Sequence, residues 1–307
     1  MRRGLFRSLQ LAVTVASLAA LWQIVDGETA LRQLAAAQPV WIAGALAALT
    51  LQTLLSALRW RLTAARLGIP LERGVALREY YLSQIVNQLL PGGVLGDAGR
   101  AYRVRSEAGL LVSGQAVLFE RFAGQLALFA VFALGVIGTQ LVPGGFEGPR
   151  WLLPLVLLVA LGALLVFRAL VHRPTRREEG PMRRFVRAFV HAVAAREVRP
   201  QQFALSLGTA LCNIGAFACC AIAVSAPLSM PAALVLVPLV LFSMVIPLSV
   251  SGWGLREGAA AAMLPLAGGT AAAGLAASVA FGLVMLLAAL PGLLALVFAA
   301  APDPLES

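Results

Sequence analysis

The sequence contains no lysine; all 24 of its basic residues are arginine. That absence excludes a phosphate-binding P-loop, which needs its lysine, and any Schiff-base chemistry on an ε-amino group. Cysteine is nearly as scarce. Cys212, Cys219 and Cys220 all fall in one apolar run with no Cys-x-x-Cys spacing, so neither a disulfide framework nor a thiolate metal site is expected. The two histidines, His172 and His191, sit in an arginine-rich segment with no second ligand at helical spacing, so no metal is expected there either. Charged residues make up 12% of the 307, against roughly 25% in ordinary soluble domains. No stretch is polar enough to form a separate soluble domain.

Apolar sequence fills the space instead: 60% of the residues are hydrophobic and the mean hydropathy is +0.87. Runs long enough for a hydrocarbon core of about 30 Å recur along the whole chain. They predict an all-α, polytopic membrane protein of one domain, residues 1–307, with candidate spans near 9–25, 39–58, 112–141, 151–170, 203–225, 231–249 and 270–298. The basic N-terminal flank and its apolar run read as an uncleaved first span rather than a signal peptide. The net charge of +10 is explained by topology, not nucleic acid, because the arginines gather in short connections. Three lie in residues 2–7, eight in 59–105 and nine in 168–199, while the connections near 26–38 and 142–150 carry one each. By the positive-inside rule the N-terminus and both arginine-rich segments are expected on the cytoplasmic side of an inner membrane. Within the loop 172–201, "MRRFVRAFVHAV" puts Phe185, Phe189 and Val193 on one helical face and Arg183, Arg184 and Arg187 around the other. A helix lying on the anionic leaflet and a solvated topogenic loop both fit.

Residues 87–105, "NQLLPGGVLGDAGRAYRVR", break the pattern. Upstream, Tyr80, Gln84 and Asn87 form a polar stripe on a helix that Pro91, Gly92 and Gly93 then interrupt. Either a re-entrant hairpin or a surface helix followed by a loop accommodates this. A second break, "IPLSVSGWGLREGAA", favours the hairpin: Pro91, Gly96 and Arg100 align with Pro247, Gly252 and Arg256 in the pattern P-x4-G-x3-R, and Trp253 follows the second glycine. If residues 231–249 enter from outside and turn back, the two hairpins face each other as an inverted repeat, giving about six full spans plus two hairpins. Transporters build midplane sites from such broken helices. Helix ends and buried arginines suit an anionic headgroup.

Ionisable residues inside spans cost about 2.5–3.5 kcal/mol each and usually face an interior. Glu120 and Arg121 lie well inside the third span and point about 100° apart, so each is expected to find a partner across the bundle, Glu120 opposing Arg100 or Arg256, unless the pair snorkels to the inner surface. Gln115 and Gln125 extend a polar seam or join helices. Arg256 and Glu257, flanked by apolar sequence, are expected in a network. Trp253 reads as an interfacial belt residue, with a lid against the lipid tail as the alternative, Ser249 and Ser251 as donors to a phosphate or caps of the broken helix, Arg103 as a topogenic charge and Asn213 as an interhelical hydrogen-bonding group. The lipid-headgroup candidates are therefore Arg100, Arg256, Asn87, Gln84 and Ser251. Asp97, Glu120, Arg121 and Glu257 form the balancing charge network. No catalytic residues and no cofactor are expected.

Three segments, "NQLLPGGVLGDAGRAYRVR", "FERFAG" and "IPLSVSGWGLREGAA", resemble in order and spacing the signature segments of the lysylphosphatidylglycerol synthase transmembrane, or flippase-like, family. The resemblance extends from the second span to the last. It implies a domain that moves a phospholipid or lipid-linked precursor between leaflets. Only nine residues follow the last apolar span, so the resemblance also implies a member without the cytoplasmic synthase domain, and not an enzyme of aminoacyl transfer. The expected partners are an anionic phospholipid or lipid-linked substrate and the bilayer. The alternatives are a non-transporting scaffold beside a lipid-biosynthetic enzyme and, against the absence of a catalytic dyad, an intramembrane lipid-modifying enzyme. Oligomeric state is not encoded in any of these features.

Overall fold

The structure, a computed structural model, describes residues 2–90, 93–141, 149, 151–172, 180–246 and 249–299. All regular structure among them is helical. Helix α1 (Arg2–Ile24) bends by 94° at Val25 and Asp26 into α2 (Gly27–Ala35). Asp26 takes a left-handed backbone conformation there and accepts from the Thr29 amide. Five described helices are long and apolar enough to cross a membrane, and six if the bent α1–α2 pair counts as one. They are α3 (Pro39–Arg66), α6 (Arg105–Leu141), α7 (Leu152–His172), α9 (Arg199–Ala223) and α12 (Ala271–Ala289), the last continued by α13 (Pro291–Ala299).

The centre of the bundle is the antiparallel pair α3 and α9. Its register runs from Gln38 N–H on the Ala223 carbonyl at 3.0 Å, through Gly44 facing Cys219 and Leu55 facing Gly208, to Gln202 on Thr63 at 2.9 Å and Arg66 beside Glu197. Small residues at the crossing let the two backbones approach closely. The C-terminal end of α3 and the N-terminal end of α9 therefore share one side of the bundle, the side where arginine is concentrated. Both ends opposite are poor in arginine.

That register orients the two broken elements. The first consists of α4 (Arg73–Leu89) and α5 (Leu95–Arg103); it follows α3 and precedes α6, so it opens and closes on the arginine-rich side. Its arms pair antiparallel, with Asn87 accepting from the Gly96 amide at 2.7 Å, Ser83 donating to Asp97 at 2.9 Å, and Arg103 paired with Glu79 at the base. A Cβ at Gly96 would collide with the Ser83 carbonyl, so glycine is required where the arms touch. The second consists of α10 (Met230–Phe242), extended by a 3-10 turn to Val245, and α11 (Leu255–Met263). It follows the arginine-poor end of α9 and precedes α12, which packs on α2. The α10 segment is too short to cross a membrane, so the chain turns back, as expected for residues 231–249, and enters from the side opposite to the first hairpin. The tips meet: Gly93 lies against the Ser251 backbone and Ser251 donates to Gln88 at 2.7 Å.

Between the arginine-rich ends of α7 and α9 runs α8 (Pro181–Val193). Its Phe185 and Phe189 share a face, as its amphipathic pattern predicts, but that face packs edge-on to Phe119 of α6, at 5.0 and 5.3 Å between ring centroids, where the leaflet surface or solvent was expected.

Candidate functional site

The α5 helix carries Asp97 and Arg100 on the face turned into the bundle, and both are buried. Arg100, 1% exposed, lies between two aromatic rings, Trp60 of α3 at 4.4 Å and Tyr80 of α4 at 4.5 Å. Stacking of this kind stabilises a desolvated guanidinium by about 2 kcal/mol. Its Nη2 pairs with Asp97 at 3.0 Å and with Glu120 of α6 at 3.4 Å. Glu120 is 1% exposed and is held by a second arginine: Arg59 of α3 contacts it at 2.5 Å and donates onward to Thr209 of α9 at 2.8 Å. The Tyr80 hydroxyl donates to the same carboxylate at 3.3 Å. Asp97 in turn pairs with Arg121. Arg59, Glu120, Arg100, Asp97 and Arg121 thus form one continuous chain of ion pairs across α3, α5 and α6.

Arg121 differs from the rest. Its side chain is 48% exposed, on an α6 face shared with the exposed apolar Leu118, Phe122 and Leu126. It lies twelve residues past Gly109, where α6 is broken, or about 18 Å along the axis. A charged group at that depth in a core of about 30 Å is expensive unless partnered or wetted. Its bond to Asp97 links this exposed apolar stripe to the buried arginine.

The second hairpin builds a separate network. Arg256, 1% exposed, is stacked under Trp253 at 4.9 Å, and its Nε donates to Glu257 at 3.1 Å and to Ser278 of α12 at 3.0 Å. Glu257 is fully buried; it also accepts from the Ser278 hydroxyl at 3.1 Å and from the Gly254 amide at 2.7 Å. Glycine at 282 is what leaves room, because a Cβ there would strike Arg256 and Trp253.

Glu120 therefore pairs across the bundle with Arg100, as expected, while Arg256 belongs to a different cluster. Glu120 and Arg121 do not pair with each other. Gln84 accepts from Thr53 at 3.0 Å, Asn87 holds Gly96, and Ser251 bridges to Gln88, so these headgroup candidates hold the hairpins in place. Among the expected breaks, Gly93 and Gly252 have left-handed backbone conformations, whereas Gly96 sits inside α5 as a contact residue. Pro91, Gly92 and Pro247 lie outside the described residues.

Several expectations are corrected. Trp253 covers Arg256 instead of forming a belt, because the turn buries that arginine directly beneath it. Asn213 donates to the Thr209 carbonyl one turn back in its own helix, at 3.0 Å. Gln125 is exposed, not part of an interior seam. Arg103 is more than a topogenic charge, since it closes the hairpin base with Glu79. Hydropathy alone ends the second span at residue 58, where the arginines begin, and so leaves Arg59 out of the expected site. The signal was there: Ser56, Arg59 and Thr63 recur at i, i+3 and i+7 on one helical face, and all are buried.

A bundle that is all-helical among the described residues, with apolar spans and two broken hairpins meeting from opposite sides, defines a multi-pass membrane protein. The chain belongs to the family of the lysylphosphatidylglycerol synthase TM region, whose model matches residues 8–292. Membership places it among membrane proteins of lipid-related processes. No curated protein matches it.

Proposed function

We propose that the protein moves an anionic phospholipid or lipid-linked precursor between leaflets, with the headgroup entering beside Arg121 and reaching Arg100 while the tails stay in the bilayer. The observation that carries this reading is the half-exposed Arg121 on a lipid-facing stripe, joined through Asp97 to a buried arginine between opposed hairpins. Alternating access follows if the tips at Gln88 and Ser251 part, so that each hairpin opens the site toward its own side. By the positive-inside rule the arginine-rich side, with the N-terminus, is cytoplasmic. The family supports a lipid substrate.

Reconstitution of the purified chain in liposomes with labelled phosphatidylglycerol tests the proposal. Leaflet exchange above that of protein-free vesicles, lost with Arg100→Gln, is expected. Exchange absent from the wild type, or unchanged by the substitution, overturns it. Chemical alteration of the lipid points instead to an enzyme, and a stable complex with a lipid-biosynthetic enzyme without exchange points to a scaffold.

A further inference from the structure

Helix α1 meets the bundle along a narrow polar stripe. Leu11, Val15, Trp22 and Ile24 lie on its exposed faces, whereas Gln10 and Thr14 are buried. It packs mainly on α2, which continues it beyond the bend, and on α11 of the second hairpin. Contact with that hairpin runs through Thr14, Ser17 and Leu21, at i, i+3 and i+7 on one helical face. The Thr14 hydroxyl accepts from the backbone amide of Val250 at 2.9 Å and donates to the Gln10 carbonyl of its own helix at 2.8 Å. Ser17 lies so close to Gly254 that a Cβ there would strike its Oγ, and Leu21 reaches Gly258.

Lipid tails solvate leucine as well as a protein interior does, so no hydrophobic force holds two helices together in a bilayer. α1 is held to the hairpin instead by polar bonding and by close packing over Gly254 and Gly258. The Thr14 bond satisfies an amide of non-helical backbone, which membrane-embedded structure tolerates only where it is partnered or wetted. A hinge stands at the far end of the helix. Asp26 has a left-handed backbone, and the chain turns there through 94° from α1 into α2, which is packed on α12.

We infer that α1 is a lateral strap, which swings about Val25 and Asp26 and uses the bond between Thr14 and Val250 to hold the turn of the second hairpin closed. The strap itself follows from these contacts; that its release serves lipid passage rests on the translocator reading. Thr14 is a positioning residue, acting through the turn that carries Ser251 to Gln88 of the first hairpin. Release of α1 frees the turn to draw back and leaves the Val250 amide to water or a lipid oxygen.

Double electron–electron resonance on the full chain, in nanodiscs of phosphatidylglycerol and phosphatidylcholine, tests the strap. With Cys212, Cys219 and Cys220 replaced by alanine, spin labels are carried by Leu11→Cys in α1 and Leu287→Cys in α12, both exposed positions. One main distance is expected for the closed strap. Thr14→Val keeps the shape and removes the acceptor, and a second distance should gain about tenfold in population relative to the first, as loss of one hydrogen bond implies. Thr14→Ser, which keeps the hydroxyl, restores the original distribution. If Thr14→Val does not fold, Ser17→Leu, a wedge against Gly254, should produce the same second distance. A distribution unchanged by the variant that folds, or Thr14→Ser behaving as Thr14→Val does, overturns the inference. Leaflet exchange then separates the strap from transport. Leu21→Cys and Gly258→Cys, bridged by a short bifunctional thiosulfonate, pin α1 to α11, and exchange of labelled phosphatidylglycerol in liposomes should stop. Exchange that persists in the bridged protein overturns the gating role of α1. A strap that opens in a protein showing no exchange in any form sinks the translocator reading alone.

Discussion

Ser251, in the turn of the second hairpin, donates a 2.7 Å hydrogen bond to Gln88, near the end of the first arm of the other hairpin. The two residues are 163 positions apart in sequence and join elements that enter from opposite sides. Gln88 is buried, so removing its donor leaves an acceptor unpaired away from water, at a cost of about 1–3 kcal/mol. Ser251→Ala is expected to lower the thermal midpoint of the detergent-solubilised protein. The double variant with Gln88→Leu should lose less than the sum of the two single variants, because both groups of the pair are then removed together.

Glu120 joins Arg59, Arg100 and Tyr80. Glu120→Gln removes the charge that balances two buried guanidinium groups, and breaking a buried pair from one side costs about 3–5 kcal/mol. The exposed pair of Arg66 and Glu197 is a contrast, worth at most about 1 kcal/mol. Chemical denaturation should therefore separate Glu120→Gln from Glu197→Gln widely. Equal stability of the two variants would show that the buried chain of ion pairs is not formed.

Glycine positions give a test of hairpin packing. Gly96→Ala puts a methyl group into the Ser83 carbonyl, which is backbone and cannot yield, so loss of the folded protein in size-exclusion chromatography is expected. Gly74, in the first turn of α4, has nothing within reach of an added Cβ. There, Gly74→Ala should be neutral or stabilising by up to about 1 kcal/mol, since alanine loses less backbone freedom in a helix.

The opposed entry of the hairpins predicts their labelling. In a background with Cys212, Cys219 and Cys220 replaced by alanine, Glu72→Cys at the base of the first hairpin and Leu266→Cys at the base of the second are both exposed. A membrane-impermeant maleimide should reach them from opposite sides of a sealed vesicle. Reaction of both from the same side would contradict the inverted arrangement.

What was legible in the sequence followed from hydropathy and from residues that break it. The long spans, the return of the chain after residue 245, the amphipathic α8 and the burial of Arg256 and Glu257 all show as departures from, or adherence to, helical apolar periodicity. Partner choice was not legible, because it depends on which helices face each other across the bundle. Arg59 looked like a charge flanking a span until α3 proved to run on to Arg66 beside α9. Likewise the 94° bend between α1 and α2 was not legible, because the short α2 packs on α12, far along the chain. Trp253 was read from its residue type, whereas its position three residues before Arg256, on a tight glycine turn, sets what it covers.

In the proposed translocation, the hairpin tips separate as lipid passes. An added Cβ at Gly93 would lie 3.8 Å from the Ser251 Cα, so the pair Gly93→Cys and Ser251→Cys, in the cysteine-free background, brings two thiols near enough to test for a disulfide. Leaflet exchange of labelled phosphatidylglycerol in proteoliposomes should stop on oxidation and return on reduction. Exchange that continues unchanged while the tips are demonstrably cross-linked would show that passage does not need them to part.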